Sequence, residues 1–229
     1  MKPDYNGTLN LADLNTPFFR RTVAEMEAIL EKAPAMYLHP SKRWEYPWAL
    51  RRAAAGPGSR ILDAGCGASV FPLFLQRLEY RVTALDPRPP APAEGVRYIC
   101  GELQRLPFAA RSFDAVFCIS VIEHLPVEAM PHALRESARV LKPGGQLLLT
   151  TDYGRQRGEE MWYAGPGRSF KVDWNIFDRK SLEHLLGQLN ELEIEGGLDL
   201  AIDWNSVRPR MRRFHGYPYT SVGIAFRKR

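Results

Sequence analysis

Ile61-Leu62-Asp63-Ala64-Gly65-Cys66-Gly67-Ala68-Ser69 is an apolar run that ends in a Gly-x-Gly turn and leads into a segment with helical spacing. A strand that delivers such a turn to a helix lets a ligand approach the backbone, because glycine has no Cβ in the way and accepts positive φ. The tripeptide alone is weak evidence, and its flanks decide. Asp86 ends a second strand-like run, 19 positions after Gly67, where a carboxylate can accept two hydrogen bonds from a diol. Glu102 follows a third run, 16 positions later, where an acidic side chain and its backbone can meet a heterocycle edge. Ends of neighbouring parallel strands lie together, so the three features are expected to converge.

Outward from this stretch, short apolar runs alternate with helical patterns. Strands are expected at 60–63, 81–85, 96–100, 115–119, 146–151, 192–195 and 222–226, and helices near 71–78, 129–141 and 179–190, the last capped by Asp178. The pattern is that of an α/β, Rossmann-like, doubly wound sheet of seven strands, mixed because no clear helix links the sixth run to an antiparallel seventh. Only nine residues, 87–95, separate the second and third runs, and four are prolines, so a polyproline-like strap is expected in place of a crossover helix.

Residues 1–58 read as an N-terminal helical arm or lid of the same domain, and 59–229 as the ligand-binding part. Thr16-Pro17 starts a helix with the apolar stripe Val23, Met26 and Leu30. Pro40 and Pro47 interrupt the aromatic stretch 37–48, which leads into a short helix at 49–55, and Gly56-Pro57-Gly58 closes the arm.

The 229 residues are 45% apolar and 25% charged, the composition of an ordinary globular domain. No apolar run is long enough to span a membrane and the first residues do not form a signal peptide, so a cytoplasmic protein is expected. The sequon Asn6-Gly7-Thr8 reads as a polar turn. Cys66, Cys100 and Cys118 read as reduced thiols, and the absence of Cys-x-x-Cys and His-x-x-x-His pairs gives a metal site no support. The net charge of +5 is local: seven basic and no acidic residues follow Asp203, while residues 1–203 hold 24 basic and 26 acidic ones. A nucleic-acid footprint would spread over a face.

Leu62-Asp63-Ala64-Gly65-Cys66-Gly67 is followed in order by Ala84-Leu85-Asp86, by Gly101-Glu102-Leu103 and by Leu106-Pro107-Phe108. Ser112-Phe113-Asp114-Ala115-Val116, Ser120-Val121-Ile122-Glu123-His124-Leu125 and Arg139-Val140-Leu141-Lys142-Pro143-Gly144-Gly145 continue the series. This succession resembles the class I S-adenosylmethionine-dependent methyltransferases, especially the small-molecule branch similar to ubiquinone-biosynthesis enzymes. The likeness spans about 60–151 and elsewhere concerns only general layout. It implies S-adenosylmethionine as cofactor and S-adenosylhomocysteine as product.

The resemblance places Gly65, Cys66 and Gly67 against the methionine part and Asp86, beside Pro87, at the ribose hydroxyls. Glu102 and Leu103 fall at the adenine, and Ile119 and Ser120 on the wall near the sulfonium. Asp63 would brace the turn. Ala68-Ser69, where the family commonly has Thr-Gly, and the strap after Asp86 are departures that reshape the helix entry and one side of the adenine pocket.

A nicotinamide-binding oxidoreductase would want a third glycine at Val70. Methyl transfer chiefly needs alignment and exclusion of water. Where the acceptor must lose a proton, His124, after the fourth strand, is the candidate base, unless it only bonds its own loop. Arg43 can pair with the cofactor carboxylate, and Tyr37, Trp44, Tyr46 and Trp48 can cap the pocket or simply pack. Asp152 and Tyr153, the segment 162–174, and Arg212, Arg213 and His215 are candidates to receive the acceptor, the last three favouring an anionic one. The expected acceptor is a small organic O or N nucleophile. Asn/Asp-Pro-Pro-Tyr/Phe is absent after the fourth strand, which disfavours nucleobase amines. The alternatives are an RNA or polyanion methyltransferase using 208–213, and a silent cofactor-binding partner protein.

Overall fold

The structure is a computed structural model and describes residues 5–163, 171–202 and 219–229, the side chains of 159–163 and 171–172 lying outside the description. All seven expected runs are strands of one sheet: β2 (Arg60–Ala64), β3 (Arg81–Asp86), β4 (Val96–Cys100), β5 (Phe113–Ile119), β6 (Leu141–Gly154), β9 (Leu192–Ile194) and β11 (Tyr219–Lys228). Two short strands, β1 (Asn6–Thr8) and β10 (Leu198–Asp199), bring the sheet to nine, in the order β10-β1-β11-β6-β5-β2-β3-β4, with β9 also on β11. Pairing from β4 through β6 is parallel, and β11 runs antiparallel to β6, β9 and β1.

The sequon is thus strand rather than polar turn. Its Asn6 is buried, donates from Nδ2 to the Glu195 and Gly197 carbonyls and accepts the Ala225 N–H, which gives its amide more partners than a solvated turn would. A separate antiparallel hairpin, β7 (Gly158–Tyr163) with β8 (Lys171–Ile176), follows β6.

Strand alternation sends side chains to two apolar layers. Leu62, Val116, Leu147, Leu149, Val222 and Ile224 pack with α4 (Met130–Val140) and α5 (Arg179–Leu186). Ile61, Phe117, Leu148 and Ala225 pack with α1 (Pro17–Leu30), α2 (Lys42–Arg52) and α3 (Phe71–Arg77). Each fully buried Leu or Phe contributes about 1.5–3 kcal/mol. Thr16 caps α1 through the Phe19 N–H, and Asp178 forms a capping box with Ser181 on α5. No helix joins β3 to β4, in keeping with the proline strap.

The second helix of the arm departs from expectation. It starts at Lys42 and runs through Pro47, whose ring forfeits one bond to the Arg43 carbonyl. Burial of Trp44, Tyr46 and Trp48, with Trp44 stacked on Trp48 and Tyr46 on Phe71, outweighs that loss. No helix among the described residues is long and apolar enough to cross a membrane.

Candidate active site

The glycine turn stands at the C-terminal end of β2 and is tied to β3. The Gly65 and Cys66 N–H groups donate to the Leu85 carbonyl at 2.7 and 3.0 Å, and the Gly67 N–H donates to Asp86 Oδ2 at 2.9 Å. Gly65 has φ +85°, and a Cβ there would lie 2.5 Å from the Val121 side chain, so no other residue fits. At Gly67 a Cβ would meet only the Tyr37 hydroxyl, at 3.7 Å, leaving that face of the turn open.

Asp86 Oδ1 accepts the Arg88 N–H, and each of its oxygens keeps a lone pair. The Gly101 N–H donates to the Asp86 carbonyl, which brings exposed Glu102 and buried Leu103 to the same sheet edge as Asp86. Pro87 is exposed, and its carbonyl accepts the Cys100 thiol. Asp63 is buried below the turn with Oδ2 lacking a donor; burial pushes its pKa up to about 7, Lys42 opposing and Asp86 reinforcing. Burial likewise raises the Cys66 thiol pKa.

The arm reaches this turn at two levels. The Tyr37 N–H donates to Ala68 O, and its carbonyl accepts the Val70 N–H, laying a 53% exposed tyrosine over the turn. Trp44 and Trp48 are core residues beneath, and Tyr46 is buried on Phe71, its phenol pKa raised by burial and then by Asp63.

Arg43 does not face the site. It pairs with Glu27 of α1 on the outer side of the helix, because one residue along a helix turns the side chain by about 100°. Its neighbour Lys42 is the inward cation, donating to the Ile119 carbonyl at 3.3 Å and to Glu45 at 2.6 Å. Fully buried Glu45 also accepts the hydroxyls of Ser120 (2.7 Å), Thr150 (3.3 Å) and Ser221 (2.6 Å). Burial alone would raise the Glu45 pKa; Lys42 and the serines overcome it and keep the group ionised. This hub binds α2 to three strand ends and holds Ser120 at φ +51°.

Beyond Ser120, the short 3-10 turn Ile122–His124 buries Glu123 and leaves His124 exposed. Glu123 Oε2 accepts the Thr151 hydroxyl at 3.0 Å, and Oε1 has no donor. His124 Nδ1 lies 3.3 Å from the Asp173 carbonyl of β8; desolvation lowers its pKa, and Asp152 works against that. Asp152 is half-buried and accepts Trp174 Nε1–H at 2.7 Å, its pKa raised first by burial and then by Glu123. Asn175 donates to the Glu123 and Leu125 carbonyls and so fastens the hairpin to this turn.

Tyr153, expected beside Asp152, does not face the same side of the strand. Strand alternation turns it to the opposite face from Asp152, where it is 3% exposed in the core. Arg212, Arg213, His215 and the rest of 208–213 lie outside the described residues. The residues missed from sequence are Lys42, Glu45 and Asn175, whereas Trp174 ends the segment named as an acceptor candidate; the Lys-x-x-Glu spacing was the available signal for the first two. A cavity of about 630 Å³ lined by Arg60, Arg81, Arg97 and Phe113 opens at the opposite ends of the strands and takes no part here.

Residues 62–149 match the family described as "Methyltransferase domain". A protein of Encephalitozoon cuniculi that bears a methyltransferase name is 32% identical over 152 residues, covering 63% of this chain and 69% of its own length. A ubiquinone biosynthesis O-methyltransferase of Xanthomonas oryzae pv. oryzae is 37% identical over 105 residues, 41% of this chain and 43% of the relative, so the match spans less than half of that enzyme. Among solved structures, a Burkholderia thailandensis 1,6-didemethyltoxoflavin-N1-methyltransferase, determined with S-adenosylhomocysteine, shares the fold. Its TM-score is 0.51, with 19% identity, 93% of this chain and 79% of that one covered.

Proposed function

The chain belongs to the class I S-adenosylmethionine-dependent methyltransferases, and from that membership we propose that it methylates an oxygen or nitrogen nucleophile of a small organic acceptor. The observation that carries the reading is the convergence of the Gly65 to Gly67 turn, Asp86 and Glu102 at one sheet edge, with His124, Glu123 and Asp152 on the next two strand ends.

The residues fit the cofactor. The donorless Oδ2 of Asp63 suits an ammonium group, the open face of Gly67 admits a ligand against the backbone, and the remaining lone pairs of Asp86 suit a ribose diol. Glu102 and Leu103 would border the adenine, and Ile119 and Ser120 the wall beside the transferable methyl. When bound, S-adenosylmethionine supplies a methyl group on a sulfur that is already a good leaving group.

The chain's task is alignment and exclusion of water. The Glu45 hub fixes the wall at Ser120, and Tyr37 covers the turn. His124 takes the acceptor's proton toward solvent: its lowered pKa keeps the ring neutral near pH 7, and with Nδ1 turned to the Asp173 carbonyl the other nitrogen is left to accept.

Titration of the purified protein with S-adenosylhomocysteine, followed by incubation with labelled donor and fractionated metabolites, tests the reading. Binding with label transfer is expected. Absence of cofactor binding would overturn it.

A further inference from the structure

The half of the cluster around Glu45 is satisfied, since its carboxylate takes Lys42 and three hydroxyls. The half around Glu123 is not. Its carboxyl is fully buried, Oε2 has only the Thr151 hydroxyl and Oε1 has nothing. Asp152, next along β6 after Thr151, takes one indole N–H, and that Trp174 ring packs edge to face on Tyr219 at 5.1 Å and 82°.

The groups facing this pair are Lys42 and Glu45 from α2, Cys118 from β5, His124 from the 3-10 turn and Tyr219 from β11. The fixed cation that acts on Glu123 is Lys42, and it is already ion-paired with Glu45. A buried carboxyl oxygen without a donor, beside a second carboxyl and aromatic rings, makes a place for a cation.

Resting on the methyl-transfer reading, we propose that Glu123 and Asp152 form the subsite for an amine acceptor that arrives as its ammonium ion, so that the reaction is N-methylation. The ammonium donates to Glu123 Oε1 and to Asp152. One N–H proton passes to a carboxylate of the pair, which leaves a neutral amine and a carboxylic acid. The nitrogen lone pair then forms the N–CH₃ bond as the S–CH₃ bond breaks, and that electron pair stays on sulfur as the thioether. The methylated nitrogen is again positive and faces the remaining carboxylate, while the acid releases its proton through His124. Burial, which raises both carboxyl pKa values, suits the pair to accepting a proton. An anionic acceptor would meet like charge here.

The test uses a metabolite pool split by ion exchange into cationic, neutral and anionic fractions, each incubated with the full chain and labelled donor. Calorimetry with S-adenosylhomocysteine runs in parallel. Label is expected in the cationic fraction, on nitrogen. For that amine Glu123→Gln and Asp152→Asn should each raise KM roughly tenfold or more while cofactor affinity stays unchanged. Label only in the neutral or anionic fraction, or an unaltered KM in Asp152→Asn, would overturn the subsite. If Glu123→Gln fails to fold, the half-buried Asp152 variant decides. Wild-type protein that does not bind the cofactor would instead sink the methyltransferase reading itself.

Discussion

Asp86 holds two backbone N–H groups and still has lone pairs to offer, which makes it the side chain whose loss is easiest to read. Asp86→Ala is expected to weaken S-adenosylhomocysteine binding by about 1.5–3 kcal/mol, measured by calorimetry; equal affinity would remove it from the site. His124→Asn should cut turnover roughly 100-fold with cofactor affinity intact, and near-normal turnover would make the ring a tether for Asp173 alone. The placing of Gly65, Asp86 and Glu102 at neighbouring strand ends was legible in sequence because turn chemistry and strand-end spacing are local. Arg43 was not. Choosing between it and Lys42 requires the rotational phase of α2, and Pro47 obscured where that helix begins. Tyr153 failed similarly, since neighbours on a strand face opposite ways and only packing says which one meets the ligand.

At the level of elements, capping was readable and edge strands were not. Asp178 accepts the Ser181 N–H at 2.8 Å, and Asp178→Ala should destabilise the protein by about 1 kcal/mol in urea unfolding; no change would show that α5 needs no cap. The seven runs emerged from sequence because both faces of those strands are buried and apolar. β1 and β10 are too short for any period. The hairpin after β6 did carry a signal in Val172, Trp174 and Ile176 alternating with Lys171, Asp173 and Asn175, a two-residue period that the aromatic content masked. α2 depends on its polar hub as much as on its tryptophans. Glu45→Gln keeps the shape but loses the charge opposite Lys42, so it should lower thermal stability and cofactor affinity together, by scanning calorimetry and titration. An affinity left untouched would separate the arm from the site.

For the whole molecule, the buried carboxyls set an uncommon pH response. Asp63, Glu123 and Asp152 have raised pKa values in the fold, so between about pH 4 and 7 the native state binds more protons than the unfolded chain and these groups' contribution is lost as pH rises. Glu45, Asp114, Glu136 and Asp178 are held low and contribute above the ordinary carboxylate range, losing that as pH falls. Tm is therefore expected to peak near pH 5 and to decline toward pH 8, and a flat or rising Tm over that interval would contradict it. β1 raises a matter of timing. It pairs with β11, and Asn6 accepts from Ala225 N–H across 219 residues of chain. At a ribosomal rate of roughly 5–20 residues per second, the segment holding Asn6 waits about 10–40 s for its counterpart to emerge. During that wait its edge is bare to other nascent chains, so expression rate and chaperone supply should govern the yield of folded protein.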